Sequence, residues 1–150
     1  MKYLTSKIIN GHAYRKKHPG CTPKELLHYC TYTLNHDKPD VVIVHVGTNR
    51  IGVQDSMTIA NDIFEIVKTC YNYGVNQVFV SGITRRPDCE YEINELNNIL
   101  MAKRTFFYYT FIPNSNITFN HLWKDDHHLN DEGSKQLNSN FITAINNVHA

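Results

Sequence analysis

Three runs of β-branched and aromatic residues divide the chain, and each has the length of a strand that is covered on both faces. They span residues 41–46, 77–81 and 106–112, and Pro113 ends the last one. A weaker extended segment spans residues 13–18, where Pro19 disfavours helix in the residue before it. The pattern therefore predicts three buried strands and one weaker strand near the start of the chain.

Between these runs, apolar residues recur at the three- and four-residue spacing of amphipathic helices. The first helix follows a capping box formed by Thr22 and Glu25, and the second spans residues 56–73. The third is predicted to be capped by Asp88, and the fourth begins after Asn130. The residues expected to face the core are Ile59, Ile63, Ile66, Val67, Cys70, Ile93, Leu96, Leu100, Leu137, Phe141, Ile145 and Val148.

Strands that alternate with helices through short connections predict a single α/β domain over residues 1–150. We expect three layers, α/β/α, around a flavodoxin-like parallel sheet. In such sheets a ligand site lies beyond the carboxyl ends of the strands. Gly20, the turn Gly47-Thr48-Asn49, Ser81 and the loop 125–128 are all expected at that edge.

Composition narrows the class of protein only modestly. The 150 residues carry a formal net charge of +1, so no strong field for nucleic acid or an anionic membrane is implied. No apolar run approaches the ~18 residues of a membrane span. Four cysteines without a CxxC pair fit the reduced thiols of a cytoplasmic protein. The nine histidines include no HExxH motif, so neither a metal nor a cofactor is expected.

The strongest candidate chemistry lies in segment 125–133, which reads DDHHLNDEG. His128 has the position of a general base, and Asp125, three residues earlier, that of the carboxylate that orients it. Asp126 is a competing partner and His127 a competing base in the same loop. A plainer alternative is that these side chains only cap the last helix. The spacing alone leaves both interpretations open.

Two further positions favour the stabilisation of an oxyanion. Asn49 follows the first strong strand and can present its side-chain amide to a developing negative charge. The backbone N–H of Gly20 can supply a second donor. Taken alone, Asn49 is equally explained by an Asx turn and Gly20 by the geometry of a turn.

At these positions the chain resembles the SGNH (GDSL-type) hydrolase family. The run VVIVHVGTN at 41–49 resembles that family's third block, DDHHLNDEG resembles its fifth, and HPGCTPKELLHY at 18–29 resembles its second. The resemblance implies a metal-independent serine esterase or acylhydrolase that acts on a small-molecule ester. It assigns Asp125 and His128 to the catalytic triad, and Gly20 and Asn49 to the oxyanion hole.

Two departures from the family pattern matter. Arg50 stands where aspartate usually follows Gly-x-Asn, and its positive charge favours an anionic ligand. No Gly-Asp-Ser occurs, although that block carries the family's nucleophilic serine after its first strand. We therefore expect a domain that is truncated at its N-terminus and lacks the first strand, with segment 13–18 or a strand from a partner chain taking its place. Thr5, Ser6 and Ser81 are candidate substitute nucleophiles.

Three hypotheses follow for the function. The first is an SGNH-type esterase that is impaired or inactive as given, a pseudoenzyme, because the nucleophilic serine is absent. The second is a non-catalytic module that binds RNA, protein or an anionic ligand through basic residues in its cleft. Those residues are Arg15-Lys16-Lys17, Arg50 and Arg85-Arg86. The third is a decaying gene product without a function.

Overall fold

The computed structural model of the chain describes residues 21–125 and 128–149. Gly20, segment 13–18 and the expected loss of a first strand concern residues outside this part of the chain. Helices and strands alternate along the described residues, with the 3-10 helix Phe119–His121 before the last helix. The elements are α1 (Pro23–Asp37), β1 (Val41–Val44), α2 (Ser56–Asn72), β2 (Gln77–Ser81), α3 (Glu90–Phe107), β3 (Thr110–Ile112) and α4 (Asp131–His149).

The three strands form one parallel sheet in the order β1-β2-β3. Val42 pairs with Val78 in β2, and Val80 pairs with Phe111 in β3. Parallel neighbours need crossover connections, which α2 and α3 supply. All three strands therefore end at one edge of the sheet, and the loops that leave this edge carry the candidate residues.

Two apolar layers enclose the sheet. On one face, α1, α2 and α3 build a core in which Ile63 and Leu96 are fully buried beside Val78. On the other face, Phe141 of α4 joins Phe79 in a second core. Val78 and Phe79 are consecutive in β2, so they point to opposite faces of the sheet. This arrangement confirms the predicted three-layer α/β/α architecture.

Local sequence signals set the starts of the first two helices. The Thr22 hydroxyl accepts a hydrogen bond from the Glu25 amide at 3.2 Å and caps α1 as predicted. The Asp55 carboxylate accepts from the Thr58 amide at 2.9 Å and caps α2. The predicted core stripe of α2 is confirmed, since all its members are buried: Ile59, Ile63, Ile66, Val67 and Cys70.

The third predicted strand, residues 106–112, is wrong in its first half. α3 continues to Phe107, and only Thr110–Ile112 is extended. Phe107 stacks on Phe64 of α2 with 4.1 Å between the ring centroids. Packing between the two helices therefore outweighs the strand preference of the aromatic run. β1 is also shorter than predicted and ends at Val44.

Two predictions about helices also need correction. Asp88 does not cap α3, because its two carboxylate oxygens accept from the Arg86 guanidinium at 3.2 and 2.7 Å. A short 3-10 helix, Pro87–Cys89, precedes α3 instead. Val148 is 44% exposed rather than buried, because the packing of α4 on the second core ends at Ile145.

Candidate functional site

Asp125 and His128 form a direct pair in the loop before α4. The Oδ2 of Asp125 lies 2.6 Å from the Nδ1 of His128, and its Oδ1 accepts from the His128 backbone amide at 3.1 Å. Two bonds from one carboxylate fix both the backbone and the ring of His128. The side chains are 47% and 80% exposed, so the Nε2 side of the imidazole is open to a reactant. This is the geometry of a base with its orienting carboxylate.

The loop that carries the pair is closed at its base by backbone contacts. Leu122 and Leu129 form an antiparallel bridge, and the Trp123 amide donates to the His128 carbonyl at 2.8 Å. Asp126 and His127, the competing partner and base, lie outside the described residues. The two described ends of the loop are thus joined to each other next to Asp125 and His128.

Neither Asp125 nor His128 is the residue that caps α4. The Oδ1 of Asn130 accepts from the Gly133 amide at 2.8 Å, which is the bond expected of an N-cap side chain. The Asn130 carbonyl accepts the first helical bond, from Ser134. The plainer interpretation of the loop, with Asp125 and His128 serving only as helix caps, is therefore not what the geometry supports.

The turn after β1 requires glycine at its first position. Gly47 has φ +121°, and an added Cβ would lie 3.0 Å from the Cδ1 of Ile83. The Thr48 carbonyl accepts from Arg86 at 2.9 Å, so the turn is tied to the segment that follows β2. Backbone conformation, close packing and an arginine together hold this turn in place.

Asn49 lies exposed in the same turn. Its side-chain amide donates to the Cys21 carbonyl at 3.5 Å, a long contact that places it beside the residue following Gly20. Gly20 itself lies outside the described residues, so its predicted oxyanion role stays a prediction. Arg50 ends the short 3-10 helix of this turn, and its carbonyl accepts from Val53 at 3.0 Å.

Arg85 and Arg86 lie between the two candidate loops. The Arg86 guanidinium bonds Thr48 on one side and Asp88 on the other, and only 14% of its side chain is exposed. Hydrogen bonds from Arg86 hold the pKa of the Asp88 carboxyl below its usual range. The Cζ of Arg85 lies 4.6 Å from the centroid of the Phe119 ring. Phe119 belongs to the 3-10 helix that leads to the 125–128 loop. Both guanidinium groups are therefore engaged in contacts within the protein.

Ser81 belongs to a buried polar cluster that the sequence did not reveal. Its Oγ lies 2.9 Å from the Nδ1 of His45 and accepts from Asn114 at 2.9 Å. The His45 ring lies edge-on to the Phe141 ring with 5.9 Å between the centroids, and desolvation on this side lowers its pKa. Ser81 is 1% exposed, so its hydroxyl has no path to a substrate.

Other features of the described residues lie away from this edge. A cleft of about 580 Å³ opens at the opposite end of the sheet, where Gln77, Arg104 and Tyr108 are among its lining residues. Within residues 21–125 and 128–149, no group of three or more potential ligands is placed to hold a metal. In the same part of the chain, no helix is long and apolar enough to cross a membrane. Cys21, Cys30, Cys70 and Cys89 form no disulfide in the structure.

Solved structures with a similar fold include esterases. An acetyl esterase holding acetate ion and a carbohydrate esterase family 3 protein from Talaromyces cellulolyticus both superpose with a TM-score of 0.79. Each is 15% identical to this chain and aligns over 87% of it and 69% of the other chain. TesA superposes with a TM-score of 0.74 at 18% identity, over 93% of this chain and 80% of its own.

These similarities show an esterase-like α/β/α fold, in agreement with the fold class predicted from the sequence. At such low identity they concern the fold alone. No protein-family model and no curated protein sequence matches the chain.

Proposed function

We propose that this chain is an SGNH-type esterase-like domain in which His128 is the general base and Asp125 its orienting carboxylate. The observation that carries the proposal is the 2.6 Å contact between the Oδ2 of Asp125 and the Nδ1 of His128. Asn130, rather than Asp125 or His128, supplies the side-chain cap of the following helix. The esterase fold of the structural neighbours adds support.

In this proposal the two nitrogens of His128 have separate tasks. Nδ1 donates to Asp125, which leaves the lone pair of Nε2 to accept a proton from a hydroxyl or a water molecule. Asp125 then stabilises the imidazolium, and Nε2 returns the proton to the leaving alcohol. Such base catalysis contributes roughly 10²–10⁴-fold to the rate of comparable reactions.

Asn49 and Gly20 are proposed as donors to the oxyanion of the tetrahedral intermediate. The contact of the Asn49 amide with the Cys21 carbonyl supports this, because it brings Asn49 next to the backbone that follows Gly20. Removal of one such donor typically costs ~3 kcal/mol of transition-state stabilisation. Arg50, the next residue along the same turn, would favour esters that carry a negative charge.

We further propose that ester hydrolysis by this chain is impaired. The sequence holds no Gly-Asp-Ser, and burial excludes Ser81 as a replacement nucleophile. The other two candidates, Thr5 and Ser6, lie outside the described residues. Without that serine, a histidine held by a carboxylate can still act as a general base towards a water molecule. Slow hydrolysis without an acyl-enzyme is therefore the expected behaviour, with His128 activating water directly.

Hydrolysis of p-nitrophenyl acetate by the folded chain, together with labelling by a fluorophosphonate, tests this proposal. We expect a slow rate above buffer that falls at least tenfold in His128→Ala and in Asn49→Ala, and no covalent label. His28→Ala is the matched control, because His28 is an exposed histidine on α1, away from the site, and should leave the rate unchanged.

Two other results would change the conclusion. A fluorophosphonate label that His128→Ala abolishes would show that a working nucleophile is present, so the activity would not be impaired. A rate equal to that of His128→Ala, without label, would overturn the esterase proposal. For the non-catalytic binding module, Arg85 and Arg86 give little support, because they are engaged within the protein. Its other basic cluster, Arg15-Lys16-Lys17, lies outside the described residues.

A further inference from the structure

The Asp125–His128 pair is not held in place by burial. Both side chains are substantially exposed, and an exposed ion pair by itself contributes little to holding a loop in one conformation. A general base must nevertheless be kept within a fraction of an ångström of its productive position. Contacts at the base of the loop must therefore add to the two bonds that Asp125 itself makes with His128.

Asn130 is the residue in which the bonds at that base converge. Its Nδ2 donates to the Asn120 carbonyl at 2.8 Å and to the Leu122 carbonyl at 3.3 Å. Its backbone amide donates to the His121 carbonyl at 2.9 Å. These three carbonyls lie at the end of the 3-10 helix, where orphan acceptors need partners.

The other polar groups of Asn130 face the opposite way. Oδ1 accepts from Gly133, and the carbonyl accepts from Ser134 in the first turn of α4. Gly133 in turn packs so closely on the 3-10 helix that an added Cβ would lie 2.2 Å from the His121 carbonyl oxygen. One side chain thus connects the 3-10 helix, the closing bridge of the loop and the start of α4.

We infer that Asn130 is the positioning residue of the Asp125–His128 pair, because its side-chain amide fixes the base of the loop from which both groups project. The inference rests on the proposed function, since it gives Asn130 a role in the same site. A helix cap alone needs only an acceptor, which serine or aspartate also provides. The two bonds donated by Nδ2 are what an acceptor cannot replace.

The test measures the tautomer of neutral His128 from its ring ¹⁵N signals at alkaline pH, with His128→Gln used to assign them. In the unmodified chain, Asp125 should hold the proton on Nδ1. Asn130→Ser keeps an acceptor for Gly133 but loses the amide donor. We expect the ratio of the Nδ1–H to the Nε2–H form to fall by about threefold or more in this variant.

Two further variants make the experiment decisive. Asn130→Asp keeps the size and the cap of asparagine, removes the donor, and should show the same fall in the ratio. Asn116→Ser is the control, because it removes an amide bonded to Asn140 in the same connection without touching the loop. Slow amide exchange in β2 confirms that each variant is folded.

The outcomes separate the two claims. A ratio that is unchanged in both Asn130 variants, with the Nδ1–H form dominant in the unmodified chain, overturns the positioning role alone. A ratio without any Nδ1–H preference in the unmodified chain overturns the pair itself, and the proposed function with it. A fall in both variants but not in Asn116→Ser supports the inference.

Discussion

The apolar core around α2 and the loop 122–130 represent two different ways of holding a structure. In the core, Ile63 and Leu96 are fully buried, and non-directional contacts of many neighbours stabilise them. In the loop, Asp125 and His128 are exposed, and a few directional hydrogen bonds set their geometry. The comparison teaches that stability and candidate chemistry reside in separate parts of this molecule, so mutations should affect them separately.

The largest effect on stability is expected from truncation in the core. Ile63→Ala removes a fully buried side chain between α2 and the sheet and should lower the free energy of unfolding by ~2–5 kcal/mol. Urea unfolding measures this. Met57→Ala, on the exposed side of the same helix, is the control and should cost far less. A loss below about 1 kcal/mol in Ile63→Ala would contradict the described core.

Alkaline pH should destabilise the same core through Tyr109, whose hydroxyl is its buried polar group. Burial raises the pKa of Tyr109 to about 12, and its hydroxyl donates to the Leu100 carbonyl. Because the pKa is raised in the folded state, the stabilisation from the neutral Tyr109 hydroxyl is complete below about pH 10. It is lost as the pH rises towards 12, and the total loss should be ~2–3 kcal/mol. In Tyr109→Phe, the free energy of unfolding should depend less steeply on pH between about 10 and 12. An identical pH profile in the two proteins would show that Tyr109 titrates normally.

Gly133→Ala tests how closely the loop region packs. In an isolated helix this change gains about 1 kcal/mol, because alanine is the better helix former. Here the new Cβ would collide with the His121 carbonyl, so we expect a loss of ~1–3 kcal/mol instead. Thermal unfolding gives the sign directly. A stabilised variant would mean that α4 does not contact the 3-10 helix as described.

The smallest effect on stability is expected at the pair itself. Asp125→Asn removes an exposed charge from an exposed pair, which should change the free energy of unfolding by less than about 1 kcal/mol. Ester hydrolysis should nevertheless fall, since Nδ1 of His128 loses its charged acceptor. A destabilisation as large as that of Ile63→Ala would instead make the pair a structural element.

Much of the fold could be predicted because its determinants are local. The cap of α1 by Thr22 and the buried stripe of α2 depend on spacing within one or two helical turns. The boundary of α3 could not be predicted in this way. Phe107 is helical because it stacks on Phe64, which lies 43 residues earlier, and no local propensity contains that contact.

The candidate site shows the same division. Asp125 and His128 are three residues apart, so their pairing depends on a single turn and could be read from the sequence. The cluster of His45, Ser81 and Asn114 joins the ends of three strands. Only the sheet register brings these residues together, and no motif in the chain indicated it.

By itself, the sequence determined the α/β/α class, the starts of α1 and α2, and the pairing of Asp125 with His128, because each follows from spacing along a short segment. Tertiary structure decided that Ser81 is buried, that Arg86 is bound to Thr48, and that Asn130 anchors the loop. These outcomes depend on which distant backbone carbonyls and side chains meet at the edge of the sheet. The packing of the whole fold decides which of these distant groups come into contact, and no single segment contains that information.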